Sequence, residues 1–175
     1  GVFAGEKLVA QWRLSTQAER TSDELAAFLS VALGARAIAF AAIAGVAVSS
    51  VVPALTPDAT QLARDYFGVD ALVLGAHTDT GLVNDYDSPH EVGADRLVNA
   101  LAAWKKYGRG AVIVDFGTAT TVDVVTADGH YRGGAIAPGL QIANDALFRA
   151  AARLPRVELL APPQAIGRNT AHSLQ

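Results

Sequence analysis

The order of apolar and polar positions along the first half of the chain predicts strands and helices in alternation. Residues 1–16 alternate around a polar triplet at 5–7, which is typical of a β-hairpin with a tight turn. A candidate helix cap at 21–23 precedes helical spacing that continues to about Leu33. Further along, the pattern predicts a buried strand, a helix, a short strand and a helix over residues 43–53, 58–67, 71–75 and 95–107.

The second half of the chain repeats this order of elements. Strands are predicted over 111–115, 119–126 and 131–137, with the turn Asp128-Gly129 between the last two, and a helix follows over 140–152. Each half therefore places strands in hairpin succession before a helix, and this repetition is typical of a duplicated α/β fold. We expect two lobes with a cleft between them, residues 1–109 and 110–175.

A polar stretch over residues 76–93 interrupts the first half. It is long for a bare connection between a strand and a helix. Loops of this length in compact domains are usually functional or mobile. We therefore expect one of these two roles for it.

Composition indicates a globular protein, since 51% of the 175 residues are hydrophobic and 18% are charged. The formal net charge is −3 and no basic run exceeds Lys105-Lys106, so the positive surface that nucleic acid requires is missing. The absence of cysteine excludes disulfides, thiolate nucleophiles and cysteine-ligated metals, and it permits a reducing compartment. We expect a cytoplasmic protein that does not bind nucleic acid.

The longest apolar stretch, residues 37–55, does not predict a membrane span. It is rich in alanine, is interrupted by Gly45 and two serines, and reaches Pro53 near its end. A helix end that runs into a buried strand explains this pattern better. We expect neither a signal peptide nor a membrane partner.

An acidic residue, Asp115, ends the apolar run at 112–114. The segment 117–121 that follows is rich in glycine and threonine, and a turn of this composition offers N–H groups and hydroxyls to phosphate oxygens. A carboxylate beside phosphate needs a cation between them, so we interpret Asp115 as a cation ligand. A plain β-hairpin, with Asp115 capping its turn and the threonines in strand positions, explains the same residues and is favoured by residue types alone.

A second acidic residue, Asp95, stands beside Arg96 at the head of the helical pattern at 95–107. Aspartate at a helix start is most often an N-cap. Asp95 also fits a functional carboxylate, because phosphoryl transfer to an alcohol requires orientation of the hydroxyl more than a strong base. Arg96 fits either a residue that binds a substrate carboxylate through two hydrogen bonds or a solvated residue of the first turn.

Several familiar sites are excluded because their motifs are missing. The chain has neither a P-loop nor a dinucleotide-binding glycine pattern, and no serine lies in a nucleophile elbow. The glycines of 133–139 fit either strand-to-helix geometry or close approach of a ligand. No pair of histidines has the spacing of helical zinc ligands among His77, His90, His130 and His172.

Seven blocks in order resemble the type III pantothenate kinase family across essentially the whole chain. They read GVFAGEKLVAQWRLST, SSVVP, YDSPHEVGADRLVNALAA, VDFGTATTVDVV, YRGGAIAPGL, LPRVEL and IGRNT. The resemblance implies a duplicated actin-like, ribonuclease H-like two-lobed fold. It also implies an enzyme that transfers the γ-phosphate of ATP to pantothenate, giving 4′-phosphopantothenate, the first committed step towards coenzyme A.

The same resemblance implies roles for single residues. Asp95 matches the acceptor of the pantothenate hydroxyl proton, Asp115 the ligand of a monovalent cation, either potassium or ammonium, and Thr118 an ATP contact. The remaining positions that match contacts with pantothenate are Tyr86, Gly93, Ala94, Arg96 and Thr170. The resemblance also implies a homodimer that uses ATP and Mg²⁺.

The chain departs from the family at both ends. Family members begin with a strand and turn reading Asp-x-Gly-Asn-Thr that holds ATP phosphates and magnesium, and this block is missing here, as is any methionine. We therefore expect a fragment that lacks the first strand and the C-terminal part of the second lobe. Loss of a central strand leaves two ladder edges unpaired, so we expect residues 1–175 alone to fold poorly and not to turn over ATP.

Two other functions stay open at this point. A non-catalytic regulator on the same scaffold forms no ADP from pantothenate and ATP, and the GADR and DFGTATT blocks speak against it. A generic actin-like phosphatase or ATPase consumes ATP without any dependence on pantothenate.

Overall fold

The computed structural model of the protein describes residues 1–75 and 78–175. The chain divides into two compact units: unit 1 comprises Gly1–Asp79 and His90–Val98, and unit 2 comprises Thr80–Pro89 and Asn99–Gln175. The two predicted lobes, 1–109 and 110–175, stay a prediction. His77 and the first positions of the predicted long loop lie outside the described residues.

Unit 1 begins with an antiparallel hairpin formed by β1 (Val2–Ala4) and β2 (Lys7–Ala10). Gly5 in the turn has a φ of +59°, a left-handed conformation that glycine adopts without steric cost. The hairpin that the alternating pattern predicts around residues 5–7 is confirmed.

Helix α1 (Ser22–Gly34) follows, and its start is fixed by a capping box. The Thr21 hydroxyl accepts from the N–H of Glu24 at 3.3 Å, and the Glu24 carboxylate accepts from the N–H of Thr21 at 2.9 Å. Each of these two N–H groups at the helix start thereby has a side-chain acceptor. The predicted cap at 21–23 is confirmed.

The rest of unit 1 centres on two strands, β3 (Val46–Ser49) and β4 (Ala71–Leu74), which pair in parallel. Helix α2 (Thr56–Phe67) connects them and ends at Gly68, whose φ is +69°. Parallel strands require such a crossover, so the sequence order strand, helix, strand produces this arrangement. Short 3₁₀ turns lie before β3, before α2 and before the next helix, at Phe40–Ala42, Pro53–Leu55 and Pro89–Glu91.

The strand predicted over 43–53 is shorter and less buried than expected. The Ser50 hydroxyl donates to the carbonyl of Val52 and accepts from its N–H, both at 3.1 Å, which turns the backbone out of the strand. Ala47 and Ser49 are exposed, so β3 alternates between its two faces. The prediction of a buried strand through residue 53 was wrong.

Among its described residues, unit 2 contains a four-stranded sheet in the order β5-β8-β7-β6. Its strands are β5 (Val83–Asn84), β6 (Ala111–Phe116), β7 (Ala119–Val125) and β8 (His130–Pro138). β6, β7 and β8 form an antiparallel meander, and β5 pairs with β8 in parallel. The three predicted strands are confirmed, whereas β5 was not predicted.

Three further helices complete the described chain. They are α3 (Ala94–Tyr107), α4 (Leu140–Ala150) and α5 (Thr170–Leu174). The first two confirm the helices predicted over 95–107 and 140–152 to within two residues, and the third was not predicted. None of the helices in the described ranges has the length and apolar character needed to cross a bilayer.

Within unit 2, Trp104 joins helix α3 to the turn between β7 and β8. Its indole Nε1 donates to the carbonyl of Ala127 at 3.0 Å. Gly129 has a φ of +86°, and a Cβ on it would lie 2.7 Å from the Trp104 ring. The predicted Asp128-Gly129 turn is confirmed, and the glycine is required by both the backbone and the indole.

The result is a mixed α/β protein, which agrees with the predicted class. The actin-like duplication of the two lobes stays a proposal.

Candidate active site

Asp95 lies in the first turn of α3, in unit 1. The carbonyl of Gly93 accepts from the N–H groups of Arg96 and Leu97 at 3.1 and 3.3 Å, so Gly93 precedes the helix and Asp95 is its second residue. The Asp95 carboxylate accepts from the N–H of Arg96 at 2.8 Å and is exposed to solvent. The N-cap interpretation of Asp95 was therefore wrong, because the helix starts one residue earlier.

Gly93 sets the position of the Asp95 carboxylate. A Cβ placed on Gly93 would lie 2.5 Å from Oδ1 of Asp95 and 3.5 Å from Cγ1 of Val51. No side chain fits at that separation, so glycine at this position permits the observed carboxylate conformation. Its neighbour Ala94 is buried at the same end of the helix.

Arg96 is buried, with 7% of its surface exposed. The alternative of a solvated first-turn arginine was therefore wrong. Arginine is almost never fully buried unless its charge is paired. The helix start thus presents an exposed carboxylate and, next in sequence, a buried arginine.

Asp115 lies in unit 2, near the end of β6 and directly opposite Thr121 of β7. Its Oδ2 accepts a hydrogen bond from Nδ2 of Asn99, on α3, at 2.8 Å. Asp115 therefore points to the face of the sheet that meets the α3 residues of unit 2. The β-hairpin that the sequence offered as the alternative to a phosphate-binding turn is confirmed. Asp115 is a strand residue bonded to Asn99, however, and does not cap the turn.

The predicted phosphate-binding turn at 117–121 is narrower than expected. Only Gly117 and Thr118 lie between the two strands, because β7 already begins at Ala119, and from Thr120 onward it pairs with both β6 and β8. The N–H of Gly117 donates to the carbonyl of Ala119 at 2.9 Å. Thr120 and Thr121 are paired with both neighbouring strands, so the prediction of a free anion nest across the whole segment was wrong.

The N-terminus of α4 lies against this turn. The N–H of Gly139 donates to the carbonyl of Thr118 at 3.0 Å, and a Cβ on Gly139 would overlap the carbonyl oxygens of Gly117 and Thr118. Gly139 is the N-cap of α4, whose first N–H groups carry partial positive charge. The exposed Thr118 and a helix N-terminus therefore lie together, an arrangement that favours phosphate.

Tyr86 and Thr170 lie elsewhere in unit 2. Tyr86 is half-buried and its ring lies over Gly133 of β8, where a Cβ would be 3.0 Å from the tyrosine ring. Thr170 is exposed and begins α5, whose N-cap Asn169 accepts from the N–H of His172 at 2.8 Å. The glycines at 133 and 139 thus have structural reasons, as one of their two interpretations proposed.

The residue before Tyr86 is an ionised carboxylate. Asp85 accepts from Nδ1 of His130 at 2.9 Å and from Nη1 of Arg132 at 2.8 Å. The hydrogen bond from His130 has the largest effect and that from Arg132 the next largest, and together they hold the pKa of Asp85 below its ordinary value. Both partners belong to β8, so the pairs fasten the Tyr86 segment to that strand.

The predicted site residues fall into one group in unit 1 and several positions in unit 2. Gly93, Ala94, Asp95 and Arg96 are consecutive around the start of α3, whereas Tyr86, Asp115, Thr118 and Thr170 belong to unit 2. Across 1–75 and 78–175, no three His, Asp or Glu side chains are grouped as a metal site. A multi-carboxylate metal cage therefore has no candidate among these residues.

Sequence reasoning missed two polar residues of unit 2, Asn99 and Asp123, and with Asp123 its partner Tyr131. Asn99 interrupts the apolar helix pattern, and Asp123 interrupts an apolar strand run in the same way. Asp123 is 1% exposed, and its Oδ1 accepts from the hydroxyl of the fully buried Tyr131 at 2.7 Å. A polar residue within an apolar run was the available signal in both cases, since buried polar groups require partners.

The sequence comparisons identify the family of the chain. The family described as type III pantothenate kinase matches residues 1–175. Type III pantothenate kinases of Roseiflexus sp. (strain RS-1) and Geobacter sulfurreducens are 49% and 47% identical over all 175 residues, which cover 69% of each relative. That of Thermomicrobium roseum is 50% identical and 68% covered. The chain belongs to the type III pantothenate kinase family.

Proposed function

We propose that the protein transfers the γ-phosphate of ATP to the hydroxyl of pantothenate, giving 4′-phosphopantothenate for coenzyme A biosynthesis. The observation that carries this proposal is the family match over the whole chain, with relatives near half identity. Two of the family's motif blocks, GADR and DFGTATT, lie at the start of α3 and around the β6–β7 turn.

In this proposal Asp95 accepts the hydroxyl proton of pantothenate. Its carboxylate is exposed, so an alcohol can approach it, and it is oriented by the N–H of Arg96 and by the space at Gly93. It lies in the first turn of α3, where the N–H groups of the helix carry partial positive charge. A weak base suffices, because the loose transition state of phosphoryl transfer depends mainly on orientation of the nucleophile.

Pantothenate also carries a carboxylate, which we assign to Arg96. A guanidinium binds a carboxylate through two parallel hydrogen bonds, and its attraction is stronger when it is removed from water. The position of Arg96 directly after Asp95 in the first turn of α3 supports this assignment. Gly93 and Ala94 line the same end of the helix, and Tyr86 and Thr170 are proposed as further contacts.

ATP is proposed to contact Thr118. The exposed threonine beside the N-terminus of α4 supports this, because hydroxyl and N–H groups donate to phosphate oxygens. A kinase also uses a divalent ion, Mg²⁺, which neutralises charge on the phosphates.

Asp115 is proposed to hold a monovalent cation, potassium or ammonium. Carboxylate oxygen is a ligand suited to such ions, and Asn99 occupies only part of the hydrogen-bonding capacity of Oδ2. Asn99 would orient the carboxylate in the same way that outer hydrogen bonds orient metal ligands.

The protein is proposed to work as a cytoplasmic homodimer. One face of β6 carries Val112 and Phe116, which are 66% and 67% exposed, and apolar exposure on a sheet supports a covering partner. The lack of cysteine fits a reducing compartment.

A coupled assay of ADP formation tests the function. With ATP, Mg²⁺ and KCl, the intact protein is expected to form ADP only when pantothenate is added. ADP formation independent of pantothenate would favour a generic ATPase, and no ADP in either case would favour a non-catalytic regulator.

A further inference from the structure

The segment that carries Tyr86 is fastened to β8 by its backbone. Val83 and Asn84 pair with His130 and Tyr131, and the N–H of Asp85 donates to the carbonyl of Tyr131 at 3.0 Å. The Asp85 carboxylate adds its two hydrogen bonds from β8. The two residues before Tyr86 are therefore held to one strand by backbone and side chain together.

Asn84 then turns the chain at Tyr86. Its Oδ1 accepts from the N–H of Tyr86 at 3.1 Å, and its Nδ2 donates to the carbonyl of Pro89 at 3.3 Å. An amide side chain that bonds to the backbone two residues on forms a local turn. The backbone of Tyr86 is thus placed over β8, and the position of its ring depends on what lies beneath.

Gly133 leaves the space that the Tyr86 ring occupies. Its φ is +87°, and a Cβ on it would lie 3.0 Å from Cε2 and 3.1 Å from Cδ2 of Tyr86. These separations are tighter than ordinary van der Waals contact. Any other residue at 133 would have to displace the Tyr86 ring.

Tyr131 forms the second part of the surface beneath Tyr86. The centroids of the two rings lie 6.5 Å apart with an interplanar angle of 36°. Tyr131 is fully buried, and its hydroxyl donates to the equally buried Asp123 at 2.7 Å. A ring locked by packing and by a hydrogen bond at its far end is a rigid support.

We propose that Tyr131, held by Asp123, and Gly133 position the half-buried Tyr86 ring for contact with pantothenate. Tyr131 and Gly133 are thus positioning residues for substrate recognition, and they act through Tyr86. This inference rests on the proposed function, since it takes pantothenate as the ligand of Tyr86. Support of this kind limits the freedom of the contact residue before the substrate binds.

The first test is Tyr131→Phe in the intact protein. The change removes the hydroxyl and keeps the ring volume. Without its hydrogen bond to Asp123 the Tyr131 ring supports Tyr86 less firmly, so we expect KM for pantothenate to rise roughly 3- to 10-fold. KM for ATP is expected to stay within about twofold, because the proposed ATP contact is Thr118.

Gly133→Ala tests the contact itself, and Gly108→Ala is its matched control. Gly108 also has a positive φ, +59°, but a Cβ there meets nothing within 4 Å. Both variants lose stability through backbone strain. Only Gly133→Ala is expected to raise KM for pantothenate.

A double-mutant cycle shows whether Gly133 acts through Tyr86. If it does, Tyr86→Ala and the double variant Tyr86→Ala, Gly133→Ala have the same KM for pantothenate. Additive effects would mean that Gly133 acts by another route and would overturn the inference.

Amide hydrogen exchange over residues 83–89 gives a reading that does not depend on turnover. Tyr131→Phe and Gly133→Ala are expected to speed exchange there, and Gly108→Ala is not. Unchanged exchange and unchanged KM, with only a lower melting temperature, would reduce Tyr131 and Gly133 to core residues and overturn the inference. Without pantothenate-dependent turnover in the wild type, the proposed function fails, while the exchange comparison still decides whether these residues hold Tyr86.

Discussion

Asn99 donates a hydrogen bond from Nδ2 to Oδ2 of Asp115 at 2.8 Å, joining α3 to the end of β6 within unit 2. The two residues are 16 positions apart in sequence, and the contact joins two different elements. It gives the carboxylate a fixed orientation that a strand-end aspartate in water would lack.

This contact predicts an effect of Asn99 on monovalent-cation dependence. Asn99→Leu removes the donor, and loss of such outer hydrogen bonds typically weakens metal affinity by about 10- to 100-fold. We expect the potassium concentration that half-saturates activity to rise by at least about 10-fold. The rise in melting temperature on adding KCl, compared with NaCl, is expected to shrink in parallel. An unchanged potassium requirement would separate Asn99 from the cation.

Gly93→Ala is predicted to lower turnover by displacing the Asp95 carboxylate. The added Cβ would lie 2.5 Å from Oδ1, so the carboxylate must rotate. Misplacement of a reacting group by about 1 Å costs up to about 100-fold in rate, so we expect kcat to fall by 10- to 100-fold. Gly45→Ala is the control in unit 1, because a Cβ there meets nothing within 4 Å. Equal kcat values for the two variants would refute the role of Gly93.

Asp85 predicts a pH dependence of stability. Its folded pKa is lowered by His130 and Arg132, so its contribution is present above the unfolded pKa, about 4, and is lost as pH falls through the folded value. Asp85→Asn removes this contribution. The difference in melting temperature between wild type and variant is therefore expected to be present at pH 6 and to shrink below about pH 4. A difference in melting temperature that stays constant between pH 6 and pH 4 would show that the ion pairs of Asp85 contribute nothing to stability.

Much of the fold could be predicted from local pattern. The capping box of Thr21 and Glu24, the alternation along β6 to β8 and the turn at Gly129 are all encoded by neighbouring residues. β5 could not be found in this way, because two residues carry no periodicity and their pairing with β8 depends on distant sequence. The early end of β3 depends on Ser50 bonding to the backbone at Val52, which competes with the strand.

In the candidate site, too, some features could be predicted from neighbouring residues and others depend on tertiary contacts. Asp95 stands out in the sequence because it heads an apolar helical pattern, and Asp115 because it ends an apolar run. The burial of Arg96 could not be predicted, since an arginine in a first helical turn is usually solvated and only tertiary packing shows otherwise. Asn99 and Tyr131 were missed because their partners are contributed by other elements of the sheet and helix.

The central claim is that Asp95 orients the pantothenate hydroxyl for phosphoryl transfer. The most direct measurement is pantothenate-dependent ADP formation by Asp95→Asn, with exposed Asp70→Asn as control, together with the affinity of each protein for ATP. We predict a loss of kcat of at least about 100-fold in Asp95→Asn, with ATP affinity retained and Asp70→Asn unaffected. Turnover of Asp95→Asn near the wild-type rate would contradict the claim.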